Sequence, residues 1–187
     1  MIWKKVEIKN DLGELVSAQA TVIVSASRST NIPTFYADWF VERWKKEYVK
    51  WKNPFNGVFS YVSFKNTRIV VFWTKNPKPM MKHLDFLDEH VKNYYFQFTL
   101  NDYDKEGSEG KIPRLISRIK TFQELSNKIG KERVVWRFDS LILTEEINVD
   151  ELLRRIENIG DQLKDYTEKL VFSFADISIY RKVENNL

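Results

Sequence analysis

Five short runs of the chain are rich in β-branched and aromatic residues and are bounded by polar or turn-forming residues, a pattern typical of β-strands. These predicted strands are residues 21–26, 68–73, 94–100, 133–138 and 169–174. Between them, apolar residues recur three or four positions apart, the period of an α-helix packed on one face. The predicted helices are residues 33–46, 79–92, 113–129 and 149–163. Strands that alternate with helices predict an α/β fold with parallel strands and right-handed crossovers.

Local signals at the helix ends agree with these predictions. Asn148 and Glu151 form a capping pair before one helix, and Gly130 follows the last turn of another. Residues 57–64 alternate weakly and predict an extra edge strand or hairpin arm, and residues 3–8 are a second candidate of this kind. Residues 102–110 are rich in Asp, Glu, Lys, Ser and Gly and predict a flexible loop.

Side chains two apart in a strand point to the same face of a sheet, so each strand has two sets of residues. One set is almost wholly apolar and is predicted to lie under the helices. This set comprises Val22, Val24, Ala26, Val70, Phe72, Phe96, Phe98, Leu100, Val134, Trp136, Phe138, Phe172 and Phe174. The other set starts apolar and becomes polar towards the carboxyl end of each strand. Its polar and aromatic members are Ser25, Ser27, Trp73, Lys75, Gln97, Thr99, Arg137, Asp139 and Ser173.

This arrangement favours a particular α/β architecture. An open sheet between two helix layers would be apolar in both sets, whereas the inner face of a β/α barrel can become polar at the carboxyl end, where active sites form. We therefore predict a partial (β/α) barrel of about five parallel strands with flanking helices, plus an N-terminal or edge hairpin. A full barrel takes about 250 residues, so residues 1–187 predict a single, incomplete barrel domain. Its open edge would be covered by loops, a second copy or a partner chain.

Composition excludes several classes of protein. The longest apolar runs are far shorter than the roughly 18 residues that span a bilayer, and the N-terminus lacks a signal-peptide pattern, so we expect a cytoplasmic protein with no membrane partner. The chain has no cysteine, which excludes disulfides, thiolate zinc sites and an iron–sulfur cluster held by its own thiolates. A net charge of +4 permits an anionic partner without requiring one, because Lys and Arg are spread along the chain.

Charged residues inside the predicted barrel mouth are the first candidates for chemistry. Arg137 and Asp139 share a face, and burying them is costly unless they pair with each other or meet a ligand. Both alternatives stay open: a structural ion pair at the rim, or an anion clamp (Arg137) beside a general base (Asp139). Trp73 and Lys75 likewise offer a stacking surface and a charge. Asp139 and Lys75 are the candidate catalytic residues.

The loop after the first strand is a second candidate. Ser25, Ser27 and Arg28 lie just before a helix start, where hydroxyls, backbone N–H groups and a guanidinium suit a phosphate or carboxylate. The alternative is ordinary capping by Ser29, Thr30 or Asn31. Gln97, Thr99 and Ser173 complete the predicted ligand-binding set. His83 and His90 share a helix face without a third suitable ligand, so they predict packing or surface residues and no metal site.

These stretches resemble an uncharacterised bacterial family, the domain of unknown function 1848 family. The matching segments include SASR at 25–28, NIP at 31–33, FY at 35–36, NPFN at 53–56, FWTKNP at 72–77, residues 94–100, VWRFD at 135–139 and YRK at 180–182. The family pattern has Arg, Asp and Pro where this chain has Ser29, Asn31 and Ser140. The resemblance implies longer relatives with a cysteine-rich, metal-binding tail and some likeness to radical S-adenosylmethionine barrels. This chain ends at Leu187 before such a tail. The resemblance therefore implies a relative without the metal cluster that the tail would hold, for which an S-adenosylmethionine-like ligand is conceivable.

Three functions follow from these observations. The first is an enzyme, or a protein derived from one, that binds a small anionic or nucleotide-like ligand through Arg28, Lys75, Arg137 and Asp139. The second is a non-catalytic protein that sequesters a ligand or binds a partner. The third is nucleic-acid binding, for which the candidate residues are Trp39, Trp44, Lys45, Lys46, Trp51 and Lys52.

Overall fold

The structure is a computed structural model that describes residues 4–26, 30–53, 55–106 and 112–174. By the density of its internal contacts the chain divides into two compact units, residues 1–97 and 98–187. The strands are β1 (Lys5–Lys9), β2 (Leu15–Ala20), β3 (Ile23–Ala26), β4 (Tyr48–Lys52), β5 (Phe59–Ser63), β6 (Ile69–Thr74), β7 (Tyr94–Thr99), β8 (Val134–Leu141) and β9 (Leu170–Phe174). The α-helices are α1 (Ile32–Phe35), α2 (Ala37–Lys45), α3 (Lys78–Met81), α4 (Leu84–His90), α5 (Leu115–Ile129) and α6 (Val149–Leu163). None of these described helices is both long enough and apolar enough to cross a bilayer.

The larger sheet contains the five strands that the apolar runs predict. Its strand order is β3-β6-β7-β8-β9, and all five strands are parallel. Helices separate successive strands along the chain, so the predicted α/β class with five parallel strands is confirmed. β3 and β9 lie at the two edges, and the sheet does not close into a barrel.

A second, mixed sheet of four strands has the order β1-β2-β5-β4. β1 and β2 are antiparallel, β2 and β5 are parallel, and β4 and β5 are antiparallel. The predictions at residues 3–8 and 57–64 correspond to β1 and β5. β2 and β4 were not predicted, because small residues in β2 and charged residues in β4 hide the alternation. A small apolar cluster of Ile8, Ala18 and Tyr48 stabilises one face of this sheet.

In the first unit, Phe72 lies at the centre of the core. Its fully buried ring stacks on Phe96 at 4.9 Å and meets Phe40 of α2 edge-on at 5.1 Å. The predicted helix at 33–46 is wrong at Tyr36, whose φ of −134° interrupts the helix and separates α1 from α2. The predicted helix at 79–92 is likewise divided, and His83 with a φ of −107° precedes α4.

In the second unit, α5 and α6 extend over most of their predicted ranges. The Asn148 side chain accepts a hydrogen bond from the Glu151 N–H at 2.9 Å, which confirms the predicted cap. Gly130 follows α5 with a φ of 94°, a conformation that glycine adopts without strain. Along β8 the side chains of Trp136 and Phe138 are buried, and those of the residues between and after them are half-buried, as the two-set pattern predicts.

The apolar set is not buried throughout. The exposed fractions are 44% for Val22, 54% for Phe172 and 79% for Phe174, so their predicted burial under helices is wrong. These residues belong to, or directly precede, the two edge strands β3 and β9. An edge strand has one neighbour in the sheet, and in the described part of the chain no helix covers these side chains.

Phe138 and Phe172 provide a matched test of this account, because they are register partners on β8 and β9 but differ in burial. We expect Phe138→Ala to lower the free energy of unfolding by about 3 to 5 kcal/mol through cavity formation. Phe172→Ala should cost less than about 1 kcal/mol. Urea unfolding followed by circular dichroism measures both values, and equal losses would contradict the proposed burial.

Candidate functional site

Arg137, Asp139 and Ser173 form a hydrogen-bonded cluster towards the carboxyl ends of β8 and β9. Asp139 and Ser173 are register partners in these neighbouring strands. The Arg137 guanidinium donates to Asp139 Oδ2 through Nη2 at 2.5 Å and through Nε at 3.1 Å. Ser173 Oγ donates to the other carboxylate oxygen, Oδ1. The structure therefore brings together three predicted site residues, in a geometry that matches the structural ion pair, and the ligand-binding alternative stays a prediction.

Asn101 and Tyr103, which were not predicted, hold Asp139 and the residues directly after it in place. The Asn101 side chain donates to the Asp139 carbonyl oxygen and accepts from the Asp139 N–H, both at 3.0 Å. The Tyr103 hydroxyl donates to the Ser140 carbonyl at 2.8 Å and accepts from the Ile142 N–H at 3.1 Å. Both residues lie within four positions of the end of β7, and this position after a parallel strand was the one available signal.

Two buried arginines anchor the segment after β7. Arg118 of α5 has a side chain only 1% exposed, and its Nη2 donates to Asp104 Oδ1 at 2.8 Å. Arg155 of α6, with 6% of its side chain exposed, donates to Glu106 at 2.8 Å and to Glu151 at 2.7 Å. Residues 102–106 are therefore tied to both helices and contain no helix or strand, as predicted for a loop, and residues 107–110 lie outside the described residues.

These ion pairs change the acidity of the carboxyl groups. The hydrogen bond from Arg155 lowers the pKa of Glu106, and those from Arg154 and Arg155 lower the pKa of Glu151 to about 2. A carboxyl pKa that is lower in the folded state stabilises the fold above the ordinary value of about 4.5, and this contribution is lost as the pH falls through the lowered value. Burial has the opposite effect on Asp102 and raises its pKa.

In the first unit, a bonded threonine pair fixes the loop after β6. The hydroxyl oxygens of Thr34, in α1, and Thr74 lie 3.1 Å apart. The Thr34 hydroxyl also donates to the Asn76 carbonyl oxygen at 2.8 Å. Thr74 Oγ1 also accepts from the Asn76 N–H at 2.9 Å. This loop contains Lys75, which is half-buried, as is Trp73 at the end of β6. The threonine contacts were not predicted, because they join residues 40 positions apart.

The remaining predicted residues have the following positions. Ser25 is exposed in β3, Gln97 is half-buried in β7 within the first unit, and Thr99 is half-buried in β7 within the second. Ser27 and Arg28 lie outside the described residues.

A cleft of about 450 Å³ lies within the first unit beside β3. Its walls come from three places: β3 with Ser25, helices α1 and α2, and the face of the mixed sheet that carries Trp51. The lining residues are Thr21, Ile23, Val24, Ser25, Ala26, Thr30, Ile32, Tyr36, Trp39, Phe40, Val49, Trp51, Val62 and Phe64. We refer to this feature as the aromatic cleft. Ser25 was predicted as a site residue, but the cleft as a whole was not, because its walls are distant in sequence.

Aromatic rings at the cleft are left open to solvent. Tyr36, Trp39 and Trp51 are 49%, 43% and 41% exposed, whereas Phe40 and Phe64 are buried behind them. Thr21 adds a buried hydroxyl oxygen that has no hydrogen-bond partner among the described residues. The cleft can therefore contribute stacking surfaces together with a few hydroxyl groups.

A family model described as a domain of unknown function (DUF1848) matches residues 23–187. The chain belongs to this family. The match starts at the first residue of β3, so β1 and β2 precede it, and every site residue predicted from the sequence lies inside the part that the DUF1848 model matches. No curated protein and no solved structure matches the chain significantly.

In this DUF1848 protein, several residues considered for nucleic-acid binding have partners within the fold. Trp44 stacks on Phe40 at 5.7 Å and on Phe64 at 4.9 Å. Lys45 pairs with Glu42 at 3.1 Å, and Lys46 pairs with Asp11 at 2.8 Å. The other aromatic candidates, Trp39 and Trp51, line the aromatic cleft.

Both histidines also contact other residues of the fold. His83 Nε2 lies 2.7 Å from Asp38 Oδ1. The His90 ring stacks on Phe86 at 4.3 Å, and its Nδ1 lies 3.1 Å from the Phe86 carbonyl oxygen. Within the described ranges, no group of three or more His, Asp or Glu side chains is arranged to hold a metal ion.

The neighbouring arginines 154 and 155 of this DUF1848 protein test the buried network, because Arg154 is 56% exposed and Arg155 is 6% exposed. We expect Arg155→Gln to lower the free energy of unfolding at pH 7 by about 3 kcal/mol, since it leaves the carboxylate of Glu106 without its partner. Arg154→Gln should cost less than about 1 kcal/mol. Urea denaturation compares the two variants, and similar losses in both would show that the buried pair has no special role.

Proposed function

We propose that this protein binds a small, flat, nucleotide-like ligand in the aromatic cleft of its first unit. The observation that carries the proposal is the group of half-exposed rings, Tyr36, Trp39 and Trp51, around a cleft that runs along β3 and includes Ser25 and Ala26 at its carboxyl end. In α/β folds, the carboxyl ends of the strands are the usual place for a ligand. Asp139 and Lys75 stay predictions as catalytic groups, and the proposal assigns binding alone.

The size and lining of the cleft support a small molecule. Ligand sites are commonly about 300 to 1,000 Å³ in volume and mostly apolar, with a few polar groups that fix orientation. The aromatic cleft, at about 450 Å³, falls in this range. Exposed Trp and Tyr rings gain stabilisation when a flat partner covers them, because each ring presents a large apolar face. A base or similar heteroaromatic ring is the chemical group that fits this surface.

The polar groups define the rest of the ligand. Ser25, Thr30 and Thr21 contribute hydroxyls to the lining, and none of the described residues that line it carries a charge. The cleft therefore favours an uncharged ring with hydrogen-bonding edges over a bare anion. The sequence places Arg28 two residues after the end of β3, and the predicted role of this residue is to meet a phosphate or carboxylate on the same ligand.

Titration with adenosine and adenosine 5′-monophosphate, followed by tryptophan fluorescence, tests the proposal. We expect saturable quenching by both compounds, and binding about tenfold weaker in Trp39→Leu and in Trp51→Leu, because base stacking on an aromatic ring is worth about 1 to 3 kcal/mol. Ribose 5-phosphate, which has no base, should quench the tryptophan fluorescence less than either compound.

Phe35→Leu is the matched control. Phe35 lies on α1 next to Tyr36 and is 70% exposed, but it does not line the cleft. This variant should bind as the unchanged protein does. Absence of saturable binding, or equal weakening in the control, would refute the proposed ligand class. Tighter binding of a single-stranded oligonucleotide with a steep salt dependence would replace it with nucleic-acid binding.

A further inference from the structure

A second concave surface lies at the opposite, amino-terminal ends of β3, β6 and β7. It has a volume of about 410 Å³. The residues that line it are Val22, Lys65, Asn66, Thr67, Arg68 and Lys92. Val22 and Arg68 directly precede β3 and β6, and Lys92 lies two residues before β7. Because these parallel strands are neighbours, their starts converge at one edge of the sheet. We refer to this feature as the basic pocket.

Backbone and side-chain hydrogen bonds fix the shape of the basic pocket. The Thr67 N–H donates to the Phe64 carbonyl at 2.9 Å, which closes the turn between β5 and β6. Thr67 Oγ1 donates to the Thr21 carbonyl at 3.2 Å, and the Arg68 N–H donates to the Val22 carbonyl at 2.8 Å. The Asn93 side chain donates to the Arg68 carbonyl at 3.1 Å. The three cations are therefore attached to segments that are mutually bonded.

The charges in this pocket are poorly balanced by the fold. Lys65 has a carboxylate partner, Glu47 at 3.4 Å, but both side chains are more than half exposed, and such pairs contribute little. Arg68 and Lys92 have no ion-pair partner among the described residues. Three positive charges around one concavity repel one another, and a bound anion removes that repulsion.

We propose that the basic pocket binds the phosphate group of a small phosphorylated molecule. A phosphomonoester carries close to two negative charges at neutral pH and three acceptor oxygens, which matches two lysines and a guanidinium that can donate two hydrogen bonds. The Asn66 amide adds a neutral donor at the rim. A concave pocket with three cations suits one compact dianion, whereas a phosphodiester polymer requires a row of charges along a groove. This site has no lining residue in common with the aromatic cleft.

The experiment is a titration with inorganic phosphate and with glycerol 1-phosphate at low ionic strength, followed by the backbone amide ¹H–¹⁵N resonances. We expect saturable shifts at Asn66, Thr67 and Arg68 with both compounds. The double variant Arg68→Gln/Lys92→Gln should weaken binding about tenfold or more. The control is Lys120→Gln/Lys128→Gln on α5, which removes the same net charge from exposed positions outside the pocket. The control should bind as the unchanged protein does.

Each other outcome counts against the proposal. Equal weakening in both double variants would show attraction to net charge instead of a site. Non-saturable shifts, or shifts elsewhere in the protein, would show that the pocket does not bind phosphate. A single-stranded oligonucleotide that shifts these amides when neither small phosphate does would assign the surface to a nucleic acid. None of these results bears on adenosine binding in the aromatic cleft, because adenosine has no phosphate.

Discussion

The alternation of side chains between the two faces of a strand is the constraint from which the candidate sites follow. Phe72, Phe96, Phe98 and Phe138 are fully buried, so alternate positions in β6, β7 and β8 contribute to the apolar core. The residues between them are then directed to the opposite face. Since the strands are parallel, their carboxyl ends meet one edge of the sheet and their amino ends meet the other. The common direction of the strands therefore places Ser25 near the carboxyl end of β3. It places Val22, with the basic pocket, at the amino end.

Much of the larger sheet could be predicted from the sequence, because its strands combine period-two alternation with aromatic and β-branched residues. The smaller sheet could not, because its strands carry weak local signals. Lys50 and Lys52 interrupt the apolar pattern of β4, yet in the fold their ammonium groups lie over the Phe59 ring at 5.1 and 5.6 Å. The break at Tyr36 was also hidden, because the helical period of the apolar residues continues across it.

Some contacts of the candidate sites could likewise be predicted from the sequence, and others could not. Arg137 and Asp139 could be paired from the sequence, because residues two apart on one strand share a face. The contacts of Arg155 with Glu106 could not, because 49 residues separate the two. The aromatic cleft is harder still to predict, since Ser25, Trp39 and Trp51 come together only once the mixed sheet, β3 and α2 have packed. Trp39 and Trp51 were predicted as nucleic-acid-binding residues together with Trp44. In the structure the Trp44 ring instead stacks on Phe40 and Phe64.

The central claim is that the aromatic cleft is a binding site for a flat ring, and the indole N–H resonances of the six tryptophans test it most directly. On addition of adenosine, the account predicts shifts at Trp39 and Trp51. It predicts no shift at Trp44 or Trp136, whose indole N–H groups donate to the carbonyls of His90 and Leu100. Unchanged Trp39 and Trp51 resonances, or larger shifts at Trp136, would contradict the account.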